Sequence, residues 1–383
     1  MRICLYTETA LPVLGGQEMV VDALAREFLE LGHEPVVLAP APRRIPAEDQ
    51  QLPYPVVRHP RFVSTRHFME WYKHWLQRAH RQRHFDLLHC HSIYPCGYLA
   101  MLCEGQLGIP TVITSHGGDV HVEGRRLSKP GFPVRYGRSI AAADALIAIS
   151  KFTHDGYLRL CPSARNIVSI PNGVDLEPFA HDESRPAGLD PQVQSGEYFL
   201  FIGRLHPRKG VDVLLDAMSH IPVQQRSRLV IAGDGDQRAS LEAQCARLGL
   251  AKHVSFLGSA RGAAKVWLLQ NALFTVTPSR TWEAFGLVVL ESYAAGRGVI
   301  ATTLPGMMDL IEPGRTGLLV PPEAPTALAN AIMALLANPA KTRQFGDRAR
   351  ELAQDFSWRS IASRHVQLYN QVAAAPATFR RAA

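Results

Sequence analysis

Glu283 and Glu291 stand with seven residues between them in the stretch Pro278-Ser279-Arg280-Thr281-Trp282-Glu283-Ala284-Phe285-Gly286-Leu287-Val288-Val289-Leu290-Glu291. Residues 278–285 read as a loop leaving the apolar run 273–277. From Gly286 onward, Leu287, Leu290 and Ala294 recur at helical period until Gly296. One carboxylate therefore precedes a helix and the other rides on it, roughly 12 Å away at about 1.5 Å per residue. Carboxylates that flank a glycosidic bond need about 5–9.5 Å. These two suit opposite ends of one elongated ligand instead. The first helical N–H groups, near Gly286, Leu287 and Val288, form an anion site between them. Carboxylate, anion site, carboxylate is the order that holds a sugar, a diphosphate and a ribose. Two glutamates at this spacing also occur on ordinary solvated helices, so the pair alone decides nothing.

Cations gather at a second place. Arg204, Arg208 and Lys209 lie between the apolar run 198–202 and a helical pattern over 211–219. A lysine at a helix N-terminus opposes the macrodipole unless an anion neutralises it. A phosphate ligand is the expected anion, and a solvated basic turn is the alternative.

Other residues are ambiguous by themselves. His116 ends the strand pattern 111–115 and precedes two glycines, which leave it free to reach a ligand. The alternative is a structural imidazole. Gly15 and Gly16 lie between a strand and a helix over 18–31, and suit either close approach to a phosphate or sugar or a tight turn. Gly233-Asp234-Gly235-Asp236 follows the strand pattern 229–232 and reads as a backbone-approach loop rather than a metal motif. His89-Cys90-His91 with Cys96 fits no zinc spacing. No metal site is expected.

The elements that must position these residues alternate strand and helix. Strands are expected over 2–7, 35–39, 87–89, 111–115, 145–149 and 167–170, with Ser150 as a helix N-cap. Strands over 198–202, 229–232, 254–257 and 273–277 follow, then helices over 326–337, 342–354 and 358–369. Residues 181–196, with Pro186, Gly188 and Pro191, read as an interdomain linker. At 383 residues the chain is long for one core, so two α/β domains are expected.

Composition narrows the class. Hydrophobic content of 46% with 20% charged residues is that of a soluble globular protein. No run reaches ~18 apolar residues, so no spanning helix is expected. The start, Met1-Arg2-Ile3-Cys4-Leu5-Tyr6, turns polar too soon for a signal peptide. Six cysteines without a Cys-x-x-Cys read as reduced thiols of a cytoplasmic protein. The net charge of +7 suggests an anionic partner. Residues 58–84 carry seven Lys/Arg against the single acid Glu70, with Phe68, Trp71, Tyr72 and Trp75 at helical spacing. Either this helix turns an aromatic stripe to the core, or it touches anionic lipid at the inner membrane face. No nucleic-acid motif accompanies the charge.

Taken together, these motifs resemble the family 4 retaining glycosyltransferases, whose fold is GT-B. The resemblance rests on Glu283-x7-Glu291 with Phe285-Gly286-Leu287, His116-Gly117-Gly118-Asp119, Pro171-Asn172-Gly173-Val174-Asp175, Gly203-Arg204 with Lys209, Gly233-Asp234-Gly235 and Pro313-Gly314-Arg315-Thr316-Gly317. It implies two Rossmann-like domains facing across a cleft: 1–176 on the acceptor side, and 177–357 binding a nucleotide sugar. A last helix, 358–373, would return to the first domain. The resemblance assigns the sugar to His116 and Glu283, and the diphosphate to Arg204, Lys209 and the start of the helix at Gly286. Glu291 would take the ribose. Gly15, Gly16, Gly233, Gly235, Phe285, Leu287 and Val288 would line the donor. Transfer to a hydroxyl acceptor would retain configuration and need no metal or other cofactor.

The sequence departs from the family beyond Gly296. The usual Gly-Gly-x-x-Glu loop is Pro305-Gly306-Met307-Met308-Asp309, and Pro removes a backbone donor. That puts contacts from this loop in doubt. An epimerase or phosphorylase on the same architecture, a non-catalytic nucleotide-binding module and a membrane adaptor remain as alternatives. The sequence does not choose among UDP, GDP and ADP.

Overall fold

The computed structural model describes residues 1–13, 15–42, 51–60, 68–121 and 127–375. The described residues divide into two units, Met1–Asn172 with Trp358–Ala383, and Gly173–Ser357.

The first unit runs β1 (Arg2–Tyr6), α1 (Gly16–Glu30), β2 (Glu34–Pro40), β3 (Val56–His59), α2 (Phe68–Arg83), β4 (Leu87–Cys90), α3 (Tyr98–Leu107), β5 (Thr111–Ser115), α4 (Phe132–Ala142), β6 (Ala145–Ala148), α5 (Lys151–Leu160) and β7 (Ile167–Ser169). Its parallel sheet has the order β3-β2-β1-β4-β5-β6-β7. β1, β4 and β6 are buried almost throughout, as a sheet covered by helices on both faces requires. Ser150 caps α5 in a reciprocal box with Thr153.

The second unit continues with β8 (Tyr198–Ile202), α6 (Val211–His220), β9 (Arg228–Ala232), α7 (Arg238–Arg247), β10 (Val254–Gly258), α8 (Gly262–Asn271), β11 (Thr275–Thr277), α9 (Leu287–Ala294), β12 (Val299–Thr302), α10 (Pro305–Met308), β13 (Gly317–Val320), α11 (Pro325–Leu336) and α12 (Pro339–Ala353). The sheet order is β10-β9-β8-β11-β12-β13, all parallel. The order reverses beside β8, so the loops after β8 and β11 meet at the switch point where α/β sheets bind ligands. A last helix, α13 (Trp358–Ala374), belongs to the first unit, where Tyr369 packs edge-on to Phe28 with ring centroids 5.6 Å apart.

Three local expectations are corrected. Residues 181–196 are not a free linker. Val193 is fully buried in a cluster with Tyr198, Trp267 and Leu268, and Gln270 joins this stretch through Glu183 N and His181 O. Prolines and glycines there shape a packed irregular segment, because the chain's own apolar anchors hold it down. The aromatic stripe of α2 is split. Tyr72, Leu76 and Ala79 face the core, whereas Trp71 is exposed and meets Trp75 edge-on at 6.3 Å. The side chain of Phe68 and residues 61–67 lie outside the described part. Finally, Gly16 lies inside α1, with Gly15 as its cap.

Glycine is required at Gly233 by the chain itself. A Cβ there would lie 1.9 Å from the Gly203 carbonyl oxygen, and one at Gly235 would lie 2.3 Å from that of Leu205. The two loops are tied by Gly203 N to Ala232 O at 3.1 Å and Leu205 N to Asp234 O at 2.9 Å. The close approach expected of Gly233 and Gly235 is therefore made to the Arg204 loop. Gly233→Ala is expected to destabilise the second unit by about 1–3 kcal/mol through overpacking. Thermal melts check this against Gly105→Ala, where nothing lies within 4 Å and no loss is expected.

Candidate functional site

The loops after β8 and β11 lock together before any ligand is considered. Gly210 adopts φ 65°, and a Cβ there would meet Pro278 O at 2.0 Å. Arg280 N donates to Arg208 O at 2.8 Å. Thr302 Oγ1 donates to Ser279 O at 2.7 Å, pinning the second loop to β12.

Within that frame Glu283 is ringed by donors. Lys209 Nζ reaches its Oε2 at 2.6 Å, Arg208 Nη1 at 3.2 Å and Ser279 Oγ at 3.3 Å. Arg208 also donates to Trp282 O at 2.7 Å and lies over the Trp282 ring at 4.4 Å. Burial alone would raise the Glu283 pKa, but Lys209 and Arg208 outweigh it and hold the carboxyl below its ordinary range. Glu283 is thus ionised at neutral pH. Lys209 therefore has an anion within the protein itself, the Glu283 carboxylate of the loop after β11. Arg204 is exposed, with no side-chain partner among the described residues. Arg208, one of the three clustered cations but given no role from the sequence, is the second cation on Glu283. Its position beside Lys209 was the available signal.

Gly286 caps α9 at φ 100°, a left-handed conformation suited to glycine. Phe285 beside it is buried, and Leu287 and Val288 are half-buried at the helix start. Glu291 lies one turn further on. Lys265 Nζ of α8 holds its Oε1 at 2.5 Å, while Oε2 is buried with no hydrogen-bond partner. No local pattern pointed to Lys265, which is 26 positions away in the chain. The atypical loop 305–309 folds as α10 beneath these residues. Pro305 sits at the helix start, where its missing N–H costs nothing. A Cβ on Gly306 would lie 2.2 Å from Glu283 O, and one on Gly286 would lie 3.0 Å from Met307 Sδ. The departure from the family pattern supports the Glu283 loop from below.

His116 belongs to the first unit and is half-buried beside the buried imidazoles of His89, His91 and His365. Its Nε2 lies 3.0 Å from His91 Nδ1, with the rings stacked. His89 bonds Thr114 Oγ1 at 2.7 Å and the Tyr369 hydroxyl at 2.6 Å, and His365 stands beside it. Asp119 accepts from Ile93 N at 2.7 Å and from Ser115 Oγ, which fixes the turn behind His116. Gly15 also has an internal neighbour, because the Glu18 carboxylate folds over it at 2.5 Å from a would-be Cβ. Among the described residues no three metal-ligating side chains gather, and Cys90 and Cys96 are buried and form no disulfide.

Burial pushes His116 and His365 down to about 4 and His89 and His91 well below 6.5. The unfolded chain therefore binds more protons than the folded one between about pH 6.5 and 4. Stability from these groups is full above pH 6.5 and lost as pH falls. Burial raises Asp119 to about 6, which opposes the loss with one group against four. The first unit is expected to lose about 1.4 kcal/mol per pH unit for each fully buried imidazole below pH 6.5. Melts at pH 7, 6 and 5 test this; a flat Tm over that range contradicts it.

Residues 14–178 match the family described as Glycosyltransferase Family 4, and residues 191–352 match Glycosyl transferases group 1. The phosphatidyl-myo-inositol mannosyltransferase of Mycobacterium tuberculosis (strain CDC 1551 / Oshkosh) is 31% identical over 393 residues, covering 97% of each chain. The chain is a family 4 glycosyltransferase. The D-inositol 3-phosphate glycosyltransferase 2 of Catenulispora acidiphila is 30% identical, covering 77% of this chain and 73% of that one. Among solved structures, Anabaena HepE in complex with UDP superposes at TM-score 0.82 and 22% identity, covering 97% of this glycosyltransferase and all of that chain. Sucrose-phosphate synthase from Thermosynechococcus elongatus superposes at 0.79 and 26%, covering 98% and 100%. These likenesses establish the GT-B fold for this enzyme.

Proposed function

We propose that this glycosyltransferase moves a hexose from a nucleoside-diphosphate sugar to a hydroxyl of a glycan, lipid or small molecule, with retention and without a divalent metal. The observation that carries the reading is Glu291. Its Oε2 is a buried acceptor lacking a donor, beside an Oε1 already held by Lys265. A ribose hydroxyl is the donor that such an oxygen needs. Arg204, Lys209 and the start of α9 then take the diphosphate, with Gly286, Leu287 and Val288 offering N–H groups. Glu283 and His116 position the sugar. His116 is neutral at pH 7 and can donate or accept one bond. The relatives named for mannosyl transfer and for inositol acceptors favour a hexose donor and a hydroxylated acceptor.

No side chain here suggests itself as a nucleophile, because Glu283 is held by two cations. The acceptor oxygen would attack from the face the leaving phosphate departs. The anomeric carbon–phosphate oxygen bond breaks, the carbon–acceptor bond forms, and the acceptor proton passes to the departing phosphate. Lys209 and Arg204 stabilise the charge developing on that phosphate. The anomeric coupling of the product, read by NMR after reaction with a panel of UDP-, GDP- and ADP-sugars in EDTA, tests the reading. An inverted product, or activity restored only by metal, overturns it.

A membrane face is the second part of the proposal. No helix among the described residues is long and apolar enough to cross a membrane. On α2, exposed Trp71, half-buried Trp75 and Arg78 over the Trp75 ring form a basic aromatic surface suited to anionic headgroups. Contact would be peripheral, at the cytoplasmic leaflet. Flotation with anionic vesicles tests it, and identical recovery with neutral vesicles removes it.

A further inference from the structure

His91 and His116 are neighbours because their strands are. β4 and β5 pair in parallel, with Cys90 opposite Ile113, and each histidine stands just past the carboxyl end of its strand. The backbone fixes both positions. His91 N donates to Tyr6 O at 2.8 Å, and Gly117 N donates to Ser115 Oγ at 3.2 Å behind His116. The two rings lie nearly parallel, at 13° with centroids 5.3 Å apart, and His91 Nδ1 meets His116 Nε2 at 3.0 Å.

Two ring nitrogens at that distance share one hydrogen, so one imidazole donates and the other accepts. Burial pushes both groups below the ordinary histidine range, which keeps both rings neutral at pH 7. A neutral ring has one N–H and one bare acceptor. The far side of His91 decides the order. Its Nε2 is buried with no hydrogen-bond partner. The His89 ring, 4.2 Å away by centroids, offers none, because its nitrogens are taken by Thr114 Oγ1 at 2.7 Å and the Tyr369 hydroxyl at 2.6 Å. An orphaned buried N–H is rarer in folded proteins than an under-satisfied acceptor. His91 Nε2 is therefore the bare acceptor, and Nδ1 carries the hydrogen. It follows that His91 donates, His116 Nε2 accepts, and the hydrogen of His116 is left on Nδ1. Among the described residues the side chain of half-buried His116 has its hydrogen bond to His91, and Nδ1 takes no part in it.

We propose that His91 is a positioning residue for the transfer: it holds the hydrogen of His116 on Nδ1, and so makes His116 a donor rather than an acceptor toward an oxygen of the transferred sugar. This rests on the reading of His116 as a sugar contact. A free histidine prefers its hydrogen on Nε2, so the arrangement does not arise by default. A donor set before the sugar arrives needs no reorganisation at the moment of reaction.

The experiment uses the full chain with nitrogen-labelled histidine and reads the tautomer by proton–nitrogen correlation through the imidazole ring, His116→Gln identifying the His116 signals. In the parent, the hydrogen is expected on Nδ1. His91→Asn keeps an N–H where Nδ1 stood, and is expected to keep that tautomer. His91→Phe removes the donor, and is expected to return the hydrogen to Nε2. With the sugar donor, kcat is expected to fall about fivefold to tenfold in His91→Phe, the worth of one hydrogen bond, and to recover largely in His91→Asn. Affinity for the nucleoside diphosphate is expected to stay unchanged in both, because the groups proposed for diphosphate and ribose belong to the second unit. A merely structural loss lowers the folded fraction without moving a hydrogen between nitrogens. If His91→Phe does not fold, the tautomer of the parent decides. Hydrogen on Nε2 in the parent, or hydrogen that stays on Nδ1 in His91→Phe, overturns the inference. A tautomer that moves while kcat stays at the parent value removes His91 from the transfer, and the sugar role of His116 with it. No turnover with any sugar donor sinks the transferase reading instead, and leaves the control of the tautomer standing.

Discussion

Lys209→Ala is expected to lower kcat/KM for the sugar donor by about 2–4 kcal/mol in transition-state terms, roughly 30- to 1000-fold. Lys209 Nζ lies 2.6 Å from Glu283 Oε2, in a loop fixed by the left-handed turn at Gly210. Its charge is therefore preorganised rather than recruited when the donor arrives. Two losses follow from the substitution. The departing diphosphate loses a cation just as negative charge develops on it. Glu283 keeps one cation, Arg208 at 3.2 Å, and the Ser279 hydroxyl, so burial pushes its carboxyl pKa back upward. With both cations present, the folded Glu283 pKa is depressed. Its stabilising contribution is thus present above the ordinary glutamate value and lost as pH falls below it. The variant should show less of that acid dependence. Steady-state kinetics with saturating acceptor measures the first effect, and Lys209→Arg should recover part of it. An unchanged kcat/KM in the alanine variant rejects a role for Lys209 at the leaving group.

Glu291→Ala is expected to weaken the free nucleoside diphosphate by about 1.5–3 kcal/mol, the worth of hydrogen bonds to a charged group. The geometry allows a sharper test than affinity alone. Lys265 occupies Oε1 at 2.5 Å, and Oε2 is buried without a hydrogen-bond partner. If a ribose hydroxyl fills that position, the parent should discriminate against the 2′,3′-dideoxy nucleotide, while the variant should bind both forms alike. Lys265→Met separates the carboxylate's role from that of its partner, since it removes the ion pair and leaves Glu291 in place. Calorimetric titration measures all three proteins. Equal nucleotide affinity in Glu291→Ala and the parent withdraws Glu291 from the donor.

The strand and helix series was legible because fully buried parallel strands read as short apolar runs and their helices carry a 3.6-residue period. The strands at 111–115 and 198–202 were placed to the residue. Helix starts were less legible. The first turn of α4 at Phe132-Pro133 and that of α12 at Pro339 precede the clearest periodicity. Residues 181–196 misled for a different reason. Local composition marks where regular structure stops, but Val193 and Arg185 tie the segment to Trp267, a partner that local composition does not show.

The candidate site divides in the same way. The order Glu283, Gly286, Glu291 along the chain, and the cations after β8, can be read from residue types alone, because loop chemistry and helix starts are local properties. So can the likeness to the family, which depends on motif order. The pairing of Glu283 with Lys209 and Arg208 could not be read, because the two loops are over 70 positions apart and meet only where the sheet order reverses. Lys265 on Glu291 and the imidazoles around His116 are likewise products of packing. The sequence by itself determined which groups can carry charge, where backbone N–H groups are left open and which segments pair as strands. The tertiary structure alone decided which charges neutralise one another and which buried polar atoms still lack a partner. Those outcomes depend on distances of about 3 Å between segments far apart in the chain, and no local pattern encodes them.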